Sequence, residues 1–401
     1  MRRPLAVSIA TFSAVLVLVV ANTPVYAAGS LVISEFRLRG PAGALDEFVE
    51  IYNDSNAPHT VTAVSGIGYT MLASDGILRC LIPNGTVIPA RGHFLCANSS
   101  GYSLTGYAAA DASYSTDIFD NVGIALFKTT MSVDFTLANR LDAVGPTSEA
   151  NALYKEGAGY PALVPFSIDY AFVRDECGKG GSIPTFGACP VSTPKDTDNN
   201  AADFYFVDTN GTSAGAGQRL GAPGPQNLAS SIQRNSTFSG LLLDATVSST
   251  NPPNRVRDFT SDPPNNSTFG TLSLRRRFVN NTGGNVTTLR FRIIDVTTFP
   301  APSGIADLRP RTSVAVVVVV NDSATCAAAG FSPPCAVTVQ GTTLQTPPSQ
   351  PNGSGFNGSV VAGTVTLGTP LANGASIDVQ FLLGIQQTGS FKFYINVEAL
   401  P

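Results

Sequence analysis

Three carboxylates, Asp46, Glu47 and Glu50, crowd into the ten residues ALDEFVEIYN at positions 44–53. Such a cluster has three chemical uses: acid–base work by a carboxyl pair, ligation of a hard cation through oxygen, or hydrogen bonding on the polar side of a strand. A glycosidase-type pair needs facing carboxyls roughly 5–9 Å apart across a cleft, a geometry that one strand cannot display by itself. In EFVEIYN, Val49 and Ile51 alternate with Phe48, Glu50 and Tyr52, so Glu50 is expected on the face opposite the aliphatic pair. The expectation is a set of structural carboxylates, solvated or hydrogen-bonded.

A second oxygen-rich stretch, DTDNNAAD at 196–203, offers Asp196, Asp198, Asn200 and Asp203 as ligands for Ca²⁺. Its first, third and fifth positions match an EF-hand loop. Ala201 stands where that loop needs Gly, and Val207 stands where it needs the bidentate Glu. This leaves an irregular calcium loop or an acidic turn leading into FYFV.

Other motifs lack their context. GTSAG at 211–215 has the form of a nucleophile elbow around Ser213, but no His follows His93 in the chain. GSGFNG at 353–358 has the form of a dinucleotide loop, but a strand-like run follows it where a helix is required. His59 and His93 are the only histidines, and neither has a neighbouring partner at a catalytic or zinc-binding spacing. Arg275, Arg276, Arg277, Arg290 and Arg292 could form a basic stripe across adjacent strands, although alternation points Arg276 away from its two neighbours. The bland reading of these arginines is a solvated face. No catalytic constellation is expected, and the chain reads as a non-enzyme.

The elements that must carry these residues are strands. In TLRFRIIDV, Leu289, Phe291 and Ile293 alternate with Arg290 and Arg292, and about seven more such runs follow residue 230. The first half has similar runs, among them LVISEFRLRG, GYTMLAS, ILRCLIP and NVGIALFK. Charged residues make up 13% of the chain, and 38 Gly with 28 Pro fit a turn-rich all-β protein. The expected architecture is two immunoglobulin-like β-sandwiches, at 28–229 and 230–401, divided by the Gly/Pro/Ser/Asn-rich stretch LGAPGPQNLASSIQRNSTFSG. The first has 11 basic and 20 acidic residues, net −9, and the second 11 and 8, net +3. A net charge of −4 gives no global reason to bind nucleic acid.

Residues 1–27 combine Arg2 and Arg3, an apolar run and small residues ending at Ala27, as expected of a secretory signal; an uncleaved membrane anchor is the alternative. After cleavage no membrane span is expected. Six cysteines fall as close pairs, Cys80 with Cys96, Cys177 with Cys189 and Cys326 with Cys335, which an exported chain would oxidise locally, although six cysteines permit fifteen connectivities.

LVISEFRLRGPAGALDEFVEIYN resembles the opening of the bacterial lamin tail domain family. VIPARGHFLCAN is similar to that family's middle hairpin, DNVGIALF and RLDAVG to its later strands, and DTDNNAADFYF with APGPQN to its closing segment. The resemblance spans about 29–227. Cysteine pairs and the insertion at 176–195 depart from it. It implies an immunoglobulin-like sandwich serving as a non-catalytic binding or tethering module. The functional expectation is an exported adhesion, binding or scaffolding protein, secreted or at the cell surface, with a surface protein or glycan as partner. A self-assembling envelope component, or a hydrolase using loop carboxylates such as Asp198 or Asp203, are the alternatives.

Overall fold

A computed structural model describes residues 31–162, 167–177, 194–211 and 219–400. The expected leader, the Cys177–Cys189 pairing and Ser213 lie outside the described residues. The protein is all-β, and its strands form sandwiches. In the first half a seven-stranded sheet runs, edge to edge, through Arg219–Leu220, Phe204–Asp208, Tyr170–Arg174, Leu31–Arg37, Phe48–Asn53, His93–Asn98 and Ala112–Tyr114. It packs on a four-stranded sheet of Arg140–Val144, Ile124–Phe127, Gly68–Ala73 and Leu78–Pro83. Alternation in the sequence builds the core between them: Ile33, Phe36, Val49, Ile51 and Phe94 from the larger sheet meet Met71, Ile82, Ile124 and Leu126 from the smaller. The Cys80–Cys96 disulfide ties the two sheets across that core.

The second half repeats the plan with two five-stranded sheets. One orders Ile232–Gln233, Phe393–Leu400, Val286–Val296, Ser359–Leu371 and Thr342–Leu344. The other runs Phe238–Leu242, Thr271–Asn280, Ser376–Gln387 and Asp307–Arg311, with Arg255–Asp258 also paired to Thr271–Asn280. Phe291 and Phe381, from facing sheets, meet edge-on with centroids 5.1 Å apart. Pro310 sits in the edge strand Asp307–Arg311, the place in a sheet where a missing N–H is tolerated. A two-stranded ribbon, Val316–Val320 with Cys335–Val339, forms a sheet of its own, bridged to Ser376–Gln387 through Gln340, and is closed by the Cys326–Cys335 disulfide. Among the described residues no helix is long and apolar enough to cross a membrane.

No described sheet mixes strands from before and after residue 230. Yet the expected linker is not a free tether. Residues 220–226 are buried throughout, and two of them donate backbone hydrogen bonds to the first half's carboxylates. The reason lies in the loop 353–358, the GSGFNG segment whose sequence lacks the helix of a dinucleotide loop. It crosses to the first half, where Phe356 N donates to Leu220 O at 2.9 Å and Ala222 N to Phe356 O at 3.1 Å. Only glycine permits this approach, since a Cβ on Gly355 would lie 1.9 Å from Leu220 O. Phe356 thereby enters an apolar cluster with Phe48, Leu95, Ala171 and Val173 on the outer face of the seven-stranded sheet. That sheet is covered on both faces, which is why every residue of Phe48–Asn53 is buried and none faces solvent.

Candidate functional site

The three carboxylates of the opening motif are buried and part company. Asp46 lies in the turn before its strand, paired with the buried Arg37 guanidinium and accepting from Ser103 N at 2.9 Å and Ala42 N at 3.1 Å. Gly40 must be glycine here, because a Cβ would stand 2.4 Å from the Asp46 carboxylate and 2.8 Å from Arg37 Cζ. Glu47 accepts from Ile118 N at 2.6 Å and Asn98 Nδ2 at 2.9 Å, and burial pushes it up to about 8. The expectation of structural, hydrogen-bonded carboxylates fits these two; solvation does not.

Glu50 belongs to a different constellation, at the seam between the halves. A bulge after Ile33 sets Glu35 directly opposite Glu50 on the neighbouring strand, both on the outer face of the sheet. Like charges facing each other repel. Backbone and side-chain donors converge to hold them: Gly224 N at 2.8 Å and Asn357 Nδ2 at 3.0 Å on Glu35, Gln226 N at 2.5 Å and Ser34 Oγ at 2.5 Å on Glu50. Burial, then the Glu35 charge, raises Glu50 to about 8, and burial raises Glu35. Beside them His93 stacks on Tyr52 at 4.8 Å between centroids, with Nε2 3.8 Å from Glu50. Its own burial, helped by Arg292 and Arg290, keeps it neutral well below the usual histidine range.

The second half supplies the countercharge. Arg290 pairs across the strands with Glu398, donating to it at 2.5 Å, and Arg292 donates to the other oxygen of Glu398 at 2.8 Å and to Asn357 Oδ1 at 2.9 Å. Asn396 reaches over to Glu176 at 2.6 Å. These groups surround a cavity of about 70 Å³, room for a few waters, onto which face Arg292 and His93. Arg292 Nη2 and His93 Nδ1 have no protein hydrogen-bond partner there.

The basic stripe dissolves on this view. Arg290 and Arg292 lie on one sheet of the second sandwich and Arg275, Arg276 and Arg277 on the other, and Arg290 and Arg292 are buried in ion pairs, not solvated. His59, half-buried, meets Tyr69 Oη at 3.3 Å.

The proposed calcium loop does not converge on one point. Asn200 is buried, accepting from Gly145 N and Glu156 N, each at 3.0 Å, and donating to Ala143 O at 2.8 Å. Asp203 caps its own turn, accepting from Thr197 N at 2.9 Å and Thr197 Oγ1 at 2.7 Å. Asp198 is exposed, with positive φ. Only Asp196 joins other carboxylates: with Asp142 and Glu156 it offers oxygens within 4.8 Å of one another. Arg174 already stands among them, 2.6 Å from Asp142 and 3.3 Å from Asp196. Burial, then the charge on Asp142, lifts Glu156 to about 9. If a cation binds this region, these three residues are the better ligand set.

The seam constellation was only partly visible in the sequence. Glu50, His93, Arg290 and Arg292 stood out by type, but Glu35, Asn357 and Glu398 did not. A signal exists: Glu398 is the single acid in FYINVEAL, on the same alternation as the two arginines of RFRI. Against known proteins, the chain matches no family model, no curated protein and no solved structure.

Proposed function

We propose that the chain is an exported, non-catalytic binding or scaffolding protein, built from a lamin-tail-like sandwich and a second sandwich joined as one body. The carrying observation is the seam: its titratable groups hold each other and the backbone, and its cavity of about 70 Å³ is too small to admit a polymer. This assigns them to joining the halves, and leaves recognition to exposed loops and ribbons. Two disulfides agree with an oxidising compartment. The test is retention of the protein from residue 28 onward on isolated cell envelopes and extracellular polymer, with and without EDTA. Saturable retention supports the reading, and loss in EDTA adds a requirement for a divalent cation. No retention under either condition overturns it.

Self-assembly is favoured by one separate observation. The ribbon turns Val317 and Val319 outward at 72% and 65% exposure, with Val314 and Phe331 nearby at 77% and 60%. Exposed apolar faces of this kind mark contact surfaces. Sedimentation of the Val317→Lys, Val319→Lys double variant separates the two readings: if it abolishes both oligomers and envelope retention, assembly is the function.

A further inference from the structure

The second sandwich holds a larger and more apolar pocket than the seam. A cleft of about 200 Å³ opens beside the strand Arg255–Asp258, floored by Leu272, Leu308 and Ile385 and bordered by Phe391, with Arg255 and Arg257 on its side. None of its lining residues comes from the strands of the opposite sheet, so the core face of this sheet runs past its cover there. The register explains the arginines. Arg257 faces Leu272 and Arg255 faces Leu274 across the ladder, and both leucines are core residues. Cross-strand partners share a face, so both guanidinium groups project to the interior side of the sheet.

The two arginines differ in what holds them. Arg257 donates to the carbonyls of Asp258, Thr271 and Phe269, and is consumed by them. Arg255 has, among the described residues, no hydrogen bond or ion pair at its guanidinium; its contact is the Phe391 ring, 6.0 Å away. The wall carrying Phe391 is fixed, since Ala306 N donates to Ser390 O at 2.9 Å and Ser390 N to Gly304 O at 3.0 Å. A preformed apolar cleft with one uncommitted guanidinium fork at its side is complementary to an apolar body bearing a carboxylate.

We propose that this cleft binds a small amphipathic monocarboxylate, with its chain or ring on Leu272, Leu308 and Ile385 and its carboxylate on the Arg255 fork. A guanidinium matches a carboxylate with two parallel hydrogen bonds, which an alcohol cannot reproduce and an amine opposes. The site is independent of the surface-binding reading above.

Calorimetric titration with octanoate, octanol and octylamine tests this. Octanoate is expected to bind saturably at one site, octanol roughly tenfold or more weaker, and octylamine not at all. Arg255→Gln should bring octanoate down to the octanol level while leaving octanol binding unchanged. Thr388→Trp, at an exposed residue of the pocket's lining, should block both without disturbing the fold. Absence of saturable octanoate binding, equal affinity for octanol, or indifference to Arg255→Gln would each overturn the proposal.

Discussion

Glu50 shows how strongly a single side chain depends on what covers it. In an unfolded chain it titrates near 4.5, and in the folded protein near 8, because burial and Glu35 penalise its charge. Folding therefore takes up a proton between those values. Stability from this group is fully present below the lower value and declines as pH rises toward the upper, by at most about 1.4 kcal/mol per pH unit. Glu50→Gln fixes the neutral form, so the variant should gain on the wild type as pH rises from about 5 to about 8; urea midpoints across that window check it. Arg292 carries the opposite risk. Arg292→Met leaves Glu398 with one partner and removes the stronger of the two cations near Glu35, and should cost about 3–5 kcal/mol by the same measurement.

At the scale of elements, the disulfide between Cys80 and Cys96 does for the first sandwich what no turn can, linking strands from opposite sheets over 16 residues. Replacing both cysteines by Ala should lower the unfolding free energy by about 3 kcal/mol, read from denaturant curves of the oxidised wild type and the variant. The strands themselves were largely legible, because TLRFRIIDV, GTLSLRRRF and EFVEIYN alternate as half-buried strands do. Asp307–Arg311 and Arg255–Asp258 were not, since DLRPR and RVRD carry charge or proline where a core strand would be apolar. Both lie at edges, where those residues are tolerated. The candidate site was harder to read. Alternation shows that Glu50, Arg290 and Arg292 leave their own cores, but not that two such polar faces meet, because that contact is made by residues about 240 positions apart in the chain, of which the intervening sequence carries no trace.

For the whole molecule, the decisive contact is Phe356, which the second half inserts into the first. Its removal should do more than create a cavity. Phe356→Ala is expected to cost about 3–5 kcal/mol and, by freeing the loop 353–358, to split a single calorimetric transition into two. Gly355→Ala should act in the same direction, through the backbone clash with Leu220.

The buried connection at 220–226 also bears on how the protein is digested. A protease must draw a stretch of chain into its cleft in extended form, and residues 220–226 offer none, because the amides of Ala222, Gly224 and Gln226 are committed to Phe356, Glu35 and Glu50. Cleavage should begin instead at exposed loops such as that around Phe259 and Thr260, inside the second sandwich, and the two fragments should still travel together until the molecule is denatured. Under the export proposed above, that order of events would preserve the body among secreted peptidases while its surface is trimmed.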